Sequence, residues 1–303
     1  MRLSFSSSGA LARAGLASLA LAAATSAQAT EGGGGVYPYG LNTVASGVLP
    51  KPGNYLYMYN SVYGADVTTT DDGAPAPVDF DVDVRAHTLR YLHSFKDLDV
   101  LGGGVGVLVA QPFIVGRADV GPAEGDIEAF GDTTVGVMLG WHRPQLHWMT
   151  GVDVTLPTGS YSEARLVNAG RNQWAGTFYG SLTAAVGGRF DANLRTNLTV
   201  NGTNEATDYH SGLEAGVEWS LNCRLGKGWS VGLNGYSTRQ LSDDELDGEP
   251  VAGTGRKLRV DAFGPQLIYR GGRWGATGKW QHENGAHNKA EGDKYWLQLF
   301  VGL

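Results

Sequence analysis

The chain has 303 residues with 46 Gly, 8 Trp, 13 Tyr, 11 Pro and a single Cys, and it carries a formal charge of −7. Glycine stands at about twice its usual share without a Gly-X-Y period, which excludes collagen, and 42% hydrophobic residues are too many for a disordered chain. One cysteine excludes a disulfide framework and a thiolate metal site, the acidic balance excludes a nucleic-acid footprint, and a single apolar run excludes a bundle of membrane helices.

Residues 1–29 read as an export signal. Arg2 and Arg13 charge its front, Ala14 to Ala24 form an apolar core, and Ala27-Gln28-Ala29 supplies a small-x-small cleavage site. A membrane anchor needs about 20 apolar residues, and this core is shorter. The mature chain is therefore expected to start at Thr30.

Residues 30–53 form a second, irregular stretch. Gly32-Gly33-Gly34-Gly35 holds neither helix nor strand at low cost. A phosphate-binding loop is excluded, because the Lys-Ser/Thr pair and the preceding strand are missing. The segment is expected to begin on the periplasmic side and to be long enough to fold into a lumen as a plug, with Tyr37, Pro38 and Tyr39 in it.

From Tyr55 onward, alternation with period two predicts twelve strands: 54–65, 84–95, 99–116, 131–142, 145–156, 173–187, 190–202, 208–222, 228–239, 256–270, 273–282 and 293–303. Leu146, Trp148, Val152, Val154 and Leu156 share one face, with His147, Gly151, Asp153 and Thr155 on the other. Leu194, Leu198 and Val200 alternate with Asn193, Arg195 and Asn197 in the same way. Long links (66–83, 117–130, 157–172, 203–207, 240–255, 283–292) alternate with short ones such as Arg143-Pro144 and Gly188-Arg189. Short turns at one end and longer loops at the other, with an even strand count, are the pattern of an outer-membrane barrel. Residues 54–303 are thus expected to be an all-β, transmembrane, antiparallel up-and-down barrel of about twelve strands in the bacterial outer membrane.

Charge and aromatic residues follow this division. The long links hold acids such as Asp71, Asp72, Asp243, Asp244 and Glu245, while Arg143, Arg189, Arg224 and Lys227 lie in short turns. Acidic loops at the cell surface read as solvated, and they could also meet divalent cations bridging lipopolysaccharide. Trp141, Trp219, Trp229, Trp274, Tyr269 and Tyr295 near strand ends suit the membrane interface. Inside, Asp153, Asn193, Arg195, Glu214, Glu218, Asn234, Arg259 and Asp261 are expected to line the lumen, either as a selective path or as a salt-bridged packing network.

Other chemistry was weighed on the same residues. His282 and His287 are five apart in a Gly/Asn context, so they do not form the helical zinc pair, and no metal or cofactor is expected. An outer-membrane lipase needs a Ser and a His within reach. The adjacent His210-Ser211 would point to opposite faces of a strand, which leaves His147 and Ser220 as the alternative pair. The expectation is a protein that is not an enzyme.

The chain ends Tyr295-Trp296-Leu297-Gln298-Leu299-Phe300-Val301-Gly302-Leu303, with one apolar face running to the carboxylate. It resembles the terminal strand that the barrel-assembly machinery reads, departing from it in Leu303 where Phe is preferred. Tyr37-Pro38-Tyr39-Gly40, Val48-Leu49-Pro50-Lys51-Pro52-Gly53-Asn54-Tyr55, Phe130-Gly131-Asp132-Thr133-Thr134, Trp148-Met149-Thr150-Gly151-Val152-Asp153 and Phe263-Gly264-Pro265-Gln266 resemble the outer-membrane transporter family named for the meta-pathway of phenol degradation. That resemblance implies an outer-membrane channel for passive uptake of small hydrophobic or aromatic solutes. A structural barrel with a packed lumen is the alternative. Lipids, lipopolysaccharide and the assembly machinery would be its partners.

Overall fold

The computed structural model describes residues 33–251 and 256–303. The expected signal and cleavage site lie outside the described residues. Twelve long strands follow: β1 Gly53–Thr68, β2 Phe80–Val100, β3 Gly103–Val120, β4 Thr133–His142, β5 Leu146–Leu156, β6 Ala175–Val186, β7 Phe190–Asn201, β8 Glu214–Gly226, β9 Trp229–Gln240, β10 Arg259–Gly271, β11 Trp274–His287 and β12 Ala290–Gly302. Each pairs antiparallel with the next. β12 returns to β1, from Tyr55 opposite Gly302 to Thr68 opposite Ala290, and closes the barrel. Closure leaves no strand with a free edge, which is the condition for a sheet to sit in lipid.

Polarity is inverted relative to a water-soluble sheet. On β7 the buried residues are Asp191, Asn193, Arg195, Asn197, Thr199 and Asn201, while Leu194 is 42% and Val200 48% exposed. The outer face carries Val137, Phe178, Leu182, Leu198, Leu221, Leu233, Leu267 and Leu297, all exposed. A continuous apolar girdle of this kind would drive aggregation in water and matches hydrocarbon. Aromatic side chains edge it. Trp141 stacks on Trp148, and Trp229, Tyr269 and Trp274 form a cluster near the short turns. Trp219 departs from that expectation: in register with Leu194 and Gly235, it lies in the middle of the apolar band.

Three links differ from expectation. Residues 123–130 fold back on β3 as a further strand, Ala123–Phe130, so 117–130 is a hairpin extending beyond the barrel. The strand expected over 208–222 starts only at Glu214, because Thr203–Asn204 and Tyr209–His210 join Glu245–Leu246 and Glu249–Pro250 in a small sheet between two long links. The expected 283–292 loop is not a loop. β11 and β12 run through it to a two-residue turn at Asn288 and Lys289, where Asn288 takes φ 54°, a left-handed conformation that Asn tolerates. Turn-forming residues made this stretch read as irregular, and long-range pairing overrode them.

The face assignment has a direct consequence. Leu194→Arg, placed in the lipid-facing band, should cost about 2–4 kcal/mol of folding stability. Thr155→Arg points inward beside a cavity and should cost far less. Urea-dependent folding into phospholipid vesicles, followed by Trp fluorescence, measures both; equal losses would reverse the assigned faces.

Candidate functional site

The barrel interior is occupied by the chain's own residues 33–52. Where the segment starts, Gly34 lies against Arg171 in the 157–174 link and Gly35 against Glu214 at the start of β8. It then descends to Gly53 at the short-turn end. The described residues therefore begin at the long-link end, the reverse of the expected periplasmic start. The physical reason is local: Gly34 and Gly35 have no Cβ, and one there would collide with Arg171 or Glu214.

Having no strand or helix partner, this segment must satisfy its backbone polar groups from the wall. Lys279 Nζ donates to the carbonyls of Gly40 and Leu41 and to Thr43 Oγ1. Gln298 Nε2 donates to Leu41 O at 2.9 Å, Lys294 Nζ to Tyr39 O at 3.3 Å and Ser220 Oγ to Thr43 O at 2.5 Å. In the other direction, Asn42 N donates to Glu218 Oε1 at 3.0 Å, Tyr37 hydroxyl to Glu218 Oε2 at 2.5 Å and Gly47 N to Thr183 Oγ1 at 2.9 Å.

Apolar contacts hold both ends of the occupied stretch. Tyr37 and Tyr39 pack with Tyr236, Val260, Ala262 and Ala286. Leu49 packs with Leu92, Leu108, Met138, Met149 and Tyr179 near the short turns. The wall is thinned to admit them: a Cβ at Gly140 would strike Leu49, and one at Gly216 would strike Tyr39. The lumen is thus closed by a dry cluster below and a hydrogen-bonded layer above.

Between these layers lies a charged network. Arg195, 3% exposed, stands 3.7 Å from Asp153 and 3.8 Å from Glu218, with its guanidinium 3.6 Å above the Tyr179 ring. A second group centres on Glu283, which accepts from Lys289 Nζ at 2.7 Å, Tyr63 hydroxyl at 2.8 Å and Tyr236 hydroxyl at 2.5 Å. Buried ion pairs add little net stability, but deleting one partner strands a charge. Two cavities remain on the β1–β3 side of the segment. The upper is about 280 Å³, beside Tyr63, Val82 and Glu283; the lower is about 240 Å³, beside Thr88, Arg90 and Ala110.

Of the residues expected in the lumen, Asp153, Asn193, Arg195, Glu214, Glu218 and Asn234 face inward. Asn193 accepts from Thr183 Oγ1, and Asn234 accepts from Gln281 Nε2. Tyr37 and Tyr39 are buried in the segment, while Pro38 borders both cavities. Arg259 and Asp261 need correction. They face outward, where Asp261 is 2.7 Å from Arg239 and 3.9 Å from Arg259. Beyond the apolar girdle the polarity of the two faces exchanges: Val260 and Ala262 turn inward to meet Tyr39 and Tyr236, so the charged residues lie outside.

Lys279, Lys294, Gln298, Glu283, Arg90 and Leu49 are the functional candidates missed in the sequence. For Lys279, Gln281 and Glu283 the signal was present, as polar residues alternating with Trp280 and His282. The lipase pair does not assemble: Ser220 bonds to Thr43 O and Asn193, and His147 to His142.

Lys279 offers a test of how the segment is held. Lys279→Met keeps the side-chain length and removes three donors, at about 1–3 kcal/mol for the acceptors left dry. Hydrogen exchange at residues 40–47 should accelerate by about tenfold or more while the strand amides stay protected. Unchanged exchange would show that the apolar contacts alone hold the segment.

Comparison with known proteins agrees with this architecture. No curated protein sequence matches the chain significantly. Among solved structures, the COG4313 outer membrane channel from Pseudomonas putida F1 superposes with a TM-score of 0.74 at 17% identity, covering 89% of this chain and 100% of that one. The beta domain of the Bordetella autotransporter BrkA gives 0.56 at 7% identity, covering 83% and 100% of the two chains. The transport unit of the autotransporter AIDA-I from Escherichia coli gives 0.52 at 10%, covering 94% and 97%. These likenesses are of fold, and all three are outer-membrane barrels. In sequence, the model of the family described as "Putative MetA-pathway of phenol degradation" matches residues 65–299, and the chain belongs to that family.

Proposed function

We propose that this protein is an outer-membrane channel for passive entry of small hydrophobic or aromatic solutes, with residues 33–52 acting as its plug. The carrying observation is the nature of the filling. The lumen is blocked by a segment joined to the wall by side-chain hydrogen bonds and one leucine cluster, not by wall side chains meeting one another. Such a filling can be displaced while the barrel ladder stays whole. The description of the Pseudomonas relative as an outer membrane channel supports the same reading.

Passive diffusion follows from the sequence, which carries no nucleotide-binding motif. With the plug displaced, Arg195, Lys279 and Lys294 would offer positive charge to the lumen against Asp153, Glu214 and Glu218, setting selectivity by charge and diameter. The packed-lumen reading has its own support in the Asn222–Gln266 and Asn193–Ser220 bonds across the barrel.

Deletion of residues 31–50 separates the two. The truncated protein should still fold, as judged by heat-modifiable gel mobility, and should show higher single-channel conductance in planar bilayers than the full chain. Adding Arg195→Gln and Lys279→Gln to the truncation should shift selectivity toward cations. A folded truncation that stays closed would make the packed-lumen reading correct, and phospholipid hydrolysis lost on changing one Ser would make it an enzyme.

A further inference from the structure

The lower cavity holds a polar arrangement that plugging leaves unexplained. It lies between residues 35–42 and the inward faces of β1–β6, and at about 240 Å³ it sits just below the usual range of small-molecule pockets, about 300–1,000 Å³. One wall is apolar, built from Ala110, Pro112 and Ile114 of β3 and Leu41 of the plug. Arg90 of β2 also borders it.

The other inward cations described above have their charge or their donors met. Arg195 has Asp153 and Glu218, Lys289 has Glu283, and Lys279 has two carbonyls and a hydroxyl. Arg90 has much less. Its Nη1 reaches Tyr59 hydroxyl at 3.4 Å, its guanidinium lies 5.7 Å from the Tyr57 ring, and its Nε is enclosed with no hydrogen-bond partner. Asp153 borders the same cavity, but its ion pair goes to Arg195. A buried guanidinium without a carboxylate is costly, and its planar fork suits a carboxylate ligand.

We propose that this cavity is a solute site for small apolar carboxylates of single-ring size, the carboxylate on Arg90 and the ring against Ala110, Pro112 and Ile114. The inference rests on the channel reading and narrows its substrate class from hydrophobic compounds in general to those carrying an anion. The plug supplies one wall of the site through Val36, Pro38 and Leu41. Solute bound there touches the segment whose displacement opens the lumen.

Equilibrium dialysis of the full-length protein in detergent, with benzoate and its neutral isostere benzamide as probes, tests the assignment. Benzoate should bind at least about tenfold more tightly than benzamide. Arg90→Gln should remove that difference by weakening benzoate alone. Ala110→Phe, which fills the cavity and keeps the arginine, should weaken both probes. Heat-modifiable gel mobility confirms that each variant is folded. Equal affinity for the two probes, or benzoate binding indifferent to Arg90→Gln, would overturn the site. If benzoate is not retained while the plug deletion conducts, this inference alone fails. If benzoate binds through Arg90 while the deleted barrel stays closed, the site stands and the channel reading falls.

Discussion

The closing ladder between β1 and β12 is the contact on which everything else depends. Without it, two strands would present unpaired N–H and C=O groups to lipid, each costing several kcal/mol in hydrocarbon. The register Tyr55 to Gly302 also fixes parity around the barrel, so that Tyr57, Tyr59 and Trp296 point inward and Tyr295, Leu297 and Leu299 outward. Closure is therefore what turns a chain with alternating residues into a vessel with a polar interior. The apolar terminal strand, an aggregation hazard as a free edge, becomes the seam.

A polar interior creates a second requirement. The lumen side chains are buried, so each needs a partner, and twelve strands enclose more space than those side chains fill. Residues 33–52 meet both needs. Their carbonyls take the donors of Lys279, Lys294 and Gln298, and their Tyr37 hydroxyl and Asn42 amide satisfy Glu218. The segment stands to the lumen as a core stands to a soluble sheet. The difference is that its bonds are the kind water can replace.

The barrel was legible in the sequence wherever one face meets hydrocarbon. On β5, β7 and β8 every outward position must be apolar or small, so Asp153, Asn193, Arg195, Glu214 and Glu218 could be placed inward from alternation alone. Beyond the girdle that constraint lapses. Arg259 and Asp261 lie in such a region, where water bathes the outer face and plug tyrosines select Val260 and Ala262 for the inner one. The β11–β12 turn was hidden because Gly285 and Asn288 read locally as loop, although their positive φ angles serve a kinked strand and a tight turn. The plug's holders were invisible for another reason: Lys279 and Gly40 are 239 residues apart, and no local pattern records such a pair.

The two ends of the plug differ in how they can let go. Around Glu218 and Lys279 each lost hydrogen bond is exchanged for one with water, at a net cost of about 0.5–1.5 kcal/mol. Those bonds also lie nearer the solvated loops, so water can replace them one at a time. Leu49 has no such exchange: leaving Leu92, Leu108, Met138 and Met149 exposes apolar surface worth about 1.5–3 kcal/mol, and opens a void that the remaining side chains must fill. Release therefore proceeds most cheaply from the long-link end downward, with the leucine cluster as the last barrier. A solute entering from the loops meets the polar, exchangeable layer and the cavity beside Arg90 before it meets that barrier. The fold thus places recognition above the seal, on the side from which uptake must come.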